Sequence, residues 1–193
     1  MHARHRETIL RYAFRMLPDY LSHGLDVLLV GINPGERSDE LGHHFAGRGN
    51  KFWMLLHEAG LVPWLMTCEH DSRLPEYGVG LTNIVARASR GSSELDRIDF
   101  EKGRRLLAEK VTRYRPKAVG FVGVTVFREF WPELSASRAP KTIECGPRCE
   151  VLGDSRLFVL PNPSGRNAHY SYDDMLRCWR SLGRWVNDHA RAS

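Results

Sequence analysis

The strongest signals along the chain are short, nearly unbroken apolar runs separated by stretches whose apolar residues recur with helical spacing. Residues 25–32 read Leu-Asp-Val-Leu-Leu-Val-Gly-Ile and stop at Asn33-Pro34-Gly35, the pattern of a strand buried on both faces and ended by a sharp turn. Residues 117–124 (Lys-Ala-Val-Gly-Phe-Val-Gly-Val) and 156–160 (Arg-Leu-Phe-Val-Leu) repeat the pattern, the second ending at Pro161-Asn162-Pro163-Ser164-Gly165. Helices are predicted over 50–60, with Asn50 as cap and Gly60 as stop, over 125–130, and over 93–114, closed by Pro116. The 93–114 segment carries Leu95, Ile98, Leu106, Leu107 and Val111 among charged residues and reads as an amphipathic helix, and one over 172–189 has Met175, Leu176, Trp179, Leu182 and Val186 on one face. Ile9, Leu10, Ala13, Phe14 and Leu17 share helical spacing, which makes residues 1–24 a helical extension. Segments 141–144 and 149–152, flanking Gly146-Pro147, predict a short irregular hairpin. Helices alternating with buried strands predict an α/β fold of three layers, a central mostly parallel sheet flanked by helices, in one domain spanning 1–193.

Composition narrows the function classes. With 193 residues, 42% of them hydrophobic, the chain can bury a core without disulfides or metal. Its longest apolar run, 27–32, falls far short of the ~20 residues of a membrane span, and the amino-terminal segment lacks a signal peptide's apolar block, so a cytoplasmic protein is expected. The net charge of +5 suits an anionic partner, and 23 of the 28 cations are arginine, which grips phosphates and base edges in a bidentate manner. A GC-rich genome produces the same bias. Cys68, Cys145, Cys149 and Cys178 are scattered, with Cys145 and Cys149 the only close pair, so free thiols and no metal site are expected.

Two of the strong strands end in similar punctuation, Asn33-Pro34-Gly35 and Asn162-Pro163-Ser164-Gly165. Ligands of open α/β sheets bind beyond the carboxyl ends of the strands, so these loops are candidates to face one crevice. Each alone reads equally as a strand-ending turn. Taken with Gly42-His43-His44-Phe45-Ala46-Gly47, Asn50-Lys51-Phe52-Trp53 and Gly80-Leu81-Thr82-Asn83-Ile84-Val85, in that order and spacing, the chain resembles the mismatch-specific uracil/thymine-DNA glycosylases, a branch of the uracil-DNA glycosylase superfamily, over roughly residues 25–186.

That resemblance implies an enzyme, without cofactor, that cuts the N-glycosidic bond of uracil or thymine opposite guanine in duplex DNA, after the base has been flipped out of the stack. It makes Asn33 the catalytic residue that positions water, with backbone donors near Ile32 stabilising the departing base. Phe45 would stack on the flipped pyrimidine, Asn83 would read its edge, and Ser89 would keep a hydroxyl near the water. Asn162, Ser164, Gly165 and Asn167 would form the loop that meets the opposite strand, and Arg166 would fill the vacated stack. Lys51, Arg48, Arg87 and Arg90 would reach phosphates. Two departures stand out: relatives often carry leucine at the position of Arg166, and proline and threonine within the stretch matching Val85-Ala86-Arg87-Ala88-Ser89. The carboxylates Glu36, Asp39 and Glu40 read as solvated, Lys51 is the nearest lysine for lyase chemistry, and a monomer acting on double-stranded DNA is expected. Competing readings are broad uracil removal, a non-catalytic reader of damaged DNA, a nucleotide-binding α/β protein and, least favoured, an iron–sulfur glycosylase.

Overall fold

The computed structural model describes residues 16–190. Five strands, β1 (Val27–Gly31), β2 (Val79–Asn83), β3 (Ala118–Val122), β4 (Gly146–Leu152) and β5 (Ser155–Leu160), form one sheet in the order β2-β1-β3-β5-β4. The first four in that order run parallel, and β4 closes the edge antiparallel to β5. The helices are α1 (Glu36–Leu41), α2 (Phe52–Glu58), α3 (Arg97–Tyr114), α4 (Val124–Phe130) and α5 (Tyr172–Ala190), with a ten-residue 3-10 helix at Cys68–Tyr77.

Alternation along β1 divides the core. Val27 and Leu29 face α2 and α5, where Phe52, Leu55, Leu56, Met175, Trp179 and Leu182 are buried. Leu28 and Val30 face α3 and α4, with Phe100, Leu107, Val126, Phe127 and Phe130. The three-layer α/β arrangement follows, because every residue of β1 and β3 is buried and each strand needs cover on both sides. From β1 the chain moves to β2 on one side and then returns to β3 on the other, so the loops leaving the carboxyl ends of β1 and β3 diverge and open a crevice between them.

Several elements differ from their sequence expectation. Of the helical extension expected over 1–24, residues 1–15 lie outside the described residues. Residues 16–24 are not helical: Tyr20 forms an antiparallel bridge with Leu81, and Asp19 reaches Thr82 Oγ1 at 2.5 Å and Lys110 Nζ at 2.6 Å, strapping this segment across β2 to α3. The hairpin turns at Gly153-Asp154, not at Gly146-Pro147, which lie inside β4. Its partner is β5, because residues 146–152 alternate and fit an edge with one exposed side. Helix α3 starts at Arg97, capped by Asp96, whose side chain accepts from the Asp99 N–H at 2.8 Å. Its buried face is Phe100, Gly103, Leu107 and Val111, while Ile98 is 72% exposed. Gly103 sets this phase, since a Cβ there would lie 1.9 Å from the carbonyl oxygen of Ile84, immediately after β2. Among the described residues no helix is long and apolar enough to cross a membrane.

Gly103→Ala is expected to destabilise the fold by about 2 kcal/mol, because backbone overlap outweighs the roughly 1 kcal/mol that alanine gains in helix propensity. Ile98→Ser should stay within about 0.5 kcal/mol of wild type. Urea denaturation of both variants checks the assignment of the buried face, and a larger loss for Ile98→Ser would reverse it.

Candidate active site

A cleft of about 1020 Å3 opens where β1 and β3 part. Ile32 and Asn33 enter it from the end of β1, Asn83 from β2, and Asn162, Ser164, Arg166 and Asn167 from the loop after β5, so both Asn-Pro loops line the same cavity. Phe45 and Ser89 line it as well. Lys51 and Gly165 do not, and each has another place.

The Asn33 loop is held by backbone pairing beyond the sheet. The N–H groups of Ile84 and Val85 donate to the carbonyls of Gly31 and Ile32 at 2.9 Å each, and the Ser89 N–H donates to Pro34 O at 3.1 Å. Gly35 and Ser89 form a parallel bridge. Into this frame Asn33 directs its amide nitrogen, which donates to Pro34 O at 2.9 Å, to Ser89 Oγ at 2.9 Å and to Arg87 O at 3.2 Å. Among the described residues nothing donates to Asn33 Oδ1, so this cleft-lining residue keeps a free acceptor. Ser89 is 7% exposed, and its hydroxyl hydrogen goes to Gly91 O at 2.8 Å.

Phe45 sits at φ 51°, a left-handed conformation that a bulky side chain adopts only when its surroundings over-determine it. They do so here. Its ring lies flat on Phe52, with centroids 3.8 Å apart and planes within 6°, so one face is covered. The next residue, Ala46, donates its N–H to Ser38 Oγ and accepts from Arg37 Nε, both at 3.0 Å, which ties the loop to α1. Phe45 and Asn83 meet at the end of β1, where a Cβ on Gly31 would lie 2.3 Å from Asn83 Oδ1 and 3.4 Å from Phe45 Cζ. The residue before Phe45, His44, is anchored by Asp71 in the 3-10 helix: its N–H donates to Asp71 Oδ2 at 2.8 Å, and Asp71 itself is fully buried. Burial pushes the His44 imidazole below its ordinary value, so the ring is neutral and donates Nε2–H to Pro18 O at 2.9 Å. Tyr20, packed edge-on to His44, is pushed up to about 12 by burial and by Asp71. Asp71 and Ser38 carry no motif signal and were not legible as supports of the site.

The loop after β5 is a set of local turns. Asn162 Oδ1 accepts from the Ser164 N–H at 3.0 Å, and Asn167 returns its amide to Asn162 O at 2.7 Å. Gly165 packs on backbone, since a Cβ there would lie 2.9 Å from Gly49 O. Beside it the Lys51 N–H donates to Pro163 O at 2.9 Å, joining the two motif regions. The Lys51 ammonium is turned away, 5.8 Å over the Tyr172 ring. Arg166 is exposed, with Nη2 3.4 Å from Arg90 O. Of the other candidate phosphate contacts, Arg87 is paired with Asp99 at 2.5 Å and Arg90 with Glu36 at 2.8 Å. Arg128 and Lys141, which the sequence did not single out, supply cations to the opposite wall. At that margin Cys145 approaches Cys178 and Tyr170 rather than Cys149, and its thiol is drawn down to about 7 by Cys178. Among the described residues no group of three or more His, Cys, Asp or Glu could hold a metal ion.

Comparison with known proteins bears on this geometry. The sequence profile described as "Uracil DNA glycosylase superfamily" matches residues 18–183. A protein of Schizosaccharomyces pombe (strain 972 / ATCC 24843) described as "G/U mismatch-specific uracil DNA glycosylase" is 36% identical over 176 residues, 90% of this chain and 54% of that protein. The chain thus spans about half the length of this curated relative. The profile runs from the strap before β1 into α5 and so takes in the whole sheet and both cleft-lining loops, and on that extent the chain belongs to the uracil DNA glycosylase superfamily.

Proposed function

We propose that the chain is a monofunctional DNA glycosylase that hydrolyses the N-glycosidic bond of uracil in mismatched duplex DNA and so initiates base-excision repair. The observation that carries this reading is the Asn33 amide on the cleft wall, with its nitrogen tied down by three acceptors and its oxygen without a donor among the described residues. An amide oxygen accepts a hydrogen bond but takes no proton at neutral pH, so Asn33 would orient the attacking water without deprotonating it. Bond breaking would then run ahead of attack, with positive charge developing on the sugar and the departing base held by backbone N–H groups near Ile32. The open face of Phe45 would stack on the pyrimidine, a contribution of about 1–3 kcal/mol per base, and Asn83 would meet its polar edge. Ser89 lines the same wall.

Extrusion of the base costs a few kcal/mol, least at a mismatch, and the gap it leaves needs a filler. Arg166, exposed on the loop built from Asn162, Ser164, Gly165 and Asn167, fits that role and also offers donors to guanine or phosphate. Arg90, Arg128 and Lys141 add positive charge along the rim. The similarity to the Schizosaccharomyces pombe protein described as specific for G/U mismatches supports the choice of uracil opposite guanine. We propose further that the enzyme acts as a cytoplasmic monomer without metal or cofactor.

Single-turnover assays in excess EDTA on labelled oligonucleotides carrying G·U, A·U, G·T and single-stranded U, followed by alkali, test the reading. Cleavage fastest at G·U is expected, and only after alkali. Equal rates on A·U and single-stranded U would move the activity to broad uracil removal, and binding without cleavage would make the protein a reader of damage. Asn33→Ala is expected to slow excision at least about tenfold while duplex affinity holds. Arg166→Ala should weaken binding at the mismatch and reduce the preference for duplex over single strand; an equal loss on undamaged duplex would make Arg166 a phosphate contact instead.

A further inference from the structure

The three groups that receive the Asn33 amide are all acceptors. Pro34 O and Arg87 O are backbone carbonyls, and Ser89 Oγ has already given its hydrogen to Gly91 O. The carbonyls have no proton to offer, and the hydroxyl could offer its own only by giving up the bond to Gly91 O. Turning the amide by 180° would set Oδ1 against two carbonyl oxygens, and the hydroxyl could meet it as a donor only by leaving Gly91 O, so the turn loses bonds and adds repulsion. Of the three acceptors only Ser89 belongs to a side chain, and its place is fixed by burial, by its N–H bond to Pro34 O and by the bridge to Gly35.

We propose that Ser89 is a positioning residue that locks the Asn33 amide with its oxygen toward the cleft, and that the socket it completes admits an amide or a neutral acid but rejects a carboxylate. The proposal rests on the reading of Asn33 as the residue that orients water. It assigns Ser89 to Asn33 and not to the water itself, since its hydroxyl hydrogen is committed elsewhere. An aspartate at position 33 would meet the same three acceptors, so its protonated form, which can donate, would be favoured over its ionised form. The charged and titratable groups around the socket are Arg87, paired with Asp99 of α3, Arg90, paired with Glu36 of α1, Glu94, whose carboxylate accepts from the Arg90 N–H at 3.1 Å, Asp39 of α1, and Arg128, Lys141, Arg166, His169 and Tyr170 of the remaining walls, with neutral His44 on the loop carrying Phe45. The cations would favour ionisation, but Arg87, Arg90, Arg128, Lys141 and Arg166 are exposed and screened, whereas the three lone pairs are in direct contact.

The test uses the full chain with three variants. In Ser89→Ala the excision rate on G·U should fall roughly fivefold or more, the size of one lost hydrogen bond, with duplex affinity and unfolding temperature near wild type. Ser89→Thr should restore the rate. The side-chain 15NH2 pair of Asn33, assigned by its disappearance in Asn33→Asp, should exchange slowly with water in wild type and at least about tenfold faster in Ser89→Ala. Asn33→Asp should retain activity at acidic pH and lose it as pH rises, about tenfold per unit once the acid ionises. A wild-type rate and unchanged amide exchange in Ser89→Ala, a parallel loss of DNA affinity there, or Asn33→Asp activity that rises with pH would each overturn the proposal. If wild type excises nothing, the glycosylase reading fails, and the exchange measurement still decides whether the lock exists.

Discussion

Where β1 and β2 leave the sheet their chains do not part. Backbone bonds from Ile84 to Gly31, from Val85 to Ile32 and from Ser89 to Pro34 continue the pairing past the last strand residue. Everything at the cleft depends on this continuation. An Asn-Pro-Gly turn in solvent would let its asparagine sample many rotamers, but here the side-chain amide falls between two backbones that run side by side and donates to a carbonyl of each. The pairing of those carbonyls and the orientation of a reactive group are the same set of hydrogen bonds.

The second wall is held more indirectly. Phe45 occupies a backbone region that disfavours bulky residues, and the strain, of order 1–3 kcal/mol, is offset by contacts on either side of it in sequence. His44 is clamped to a fully buried Asp71, and Ala46 is bonded to Ser38 and Arg37. The loop after β5 joins this assembly through a backbone bond from Lys51 to Pro163 and the contact of Gly165 on Gly49. Three loops from distant parts of the chain thereby become one surface with few degrees of freedom.

Apolar runs made β1, β3 and β5 legible, because strands covered on both faces cannot afford polar residues. β2 reads Val-Gly-Leu-Thr-Asn and gave no comparable run, since Gly80 and Thr82 face close neighbours rather than open core: a Cβ at Gly80 would lie 2.4 Å from Leu25, and Thr82 bonds Asp19. Helix α1, six residues rich in charge, lacks a periodic apolar face. In α3 the apolar residues Leu107 and Val111 are buried while Ile98 and Leu106 face solvent, because Gly103, which counts as nothing on a hydrophobicity scale, marks the closest approach to the sheet. At the site, motif resemblance singled out Asn33, Ile32, Phe45, Asn83, Ser89, Asn162, Ser164, Arg166 and Asn167, and the fold brings all nine to one cleft. Lys51 meets the loop after β5 through its backbone N–H, while its ammonium lies over the Tyr172 ring. Asp71 was illegible, since its partners lie 27 and 28 residues away.

The ring of Phe45 is the outer end of a column that begins deep in the protein. Trp179 of α5 meets Phe52 edge-on at 5.4 Å, and Phe52 lies flat beneath Phe45. The floor of the cleft is in this sense an outcrop of the interior, and the thickness of the rings below sets its level. A change of volume at position 52 or 179, which in another protein would alter only how tightly the interior fills, would here raise or lower the floor and so widen or narrow the cleft. The interior on the α2 and α5 side and the chemistry above it therefore cannot drift independently: a lineage that alters one is obliged to adjust the other.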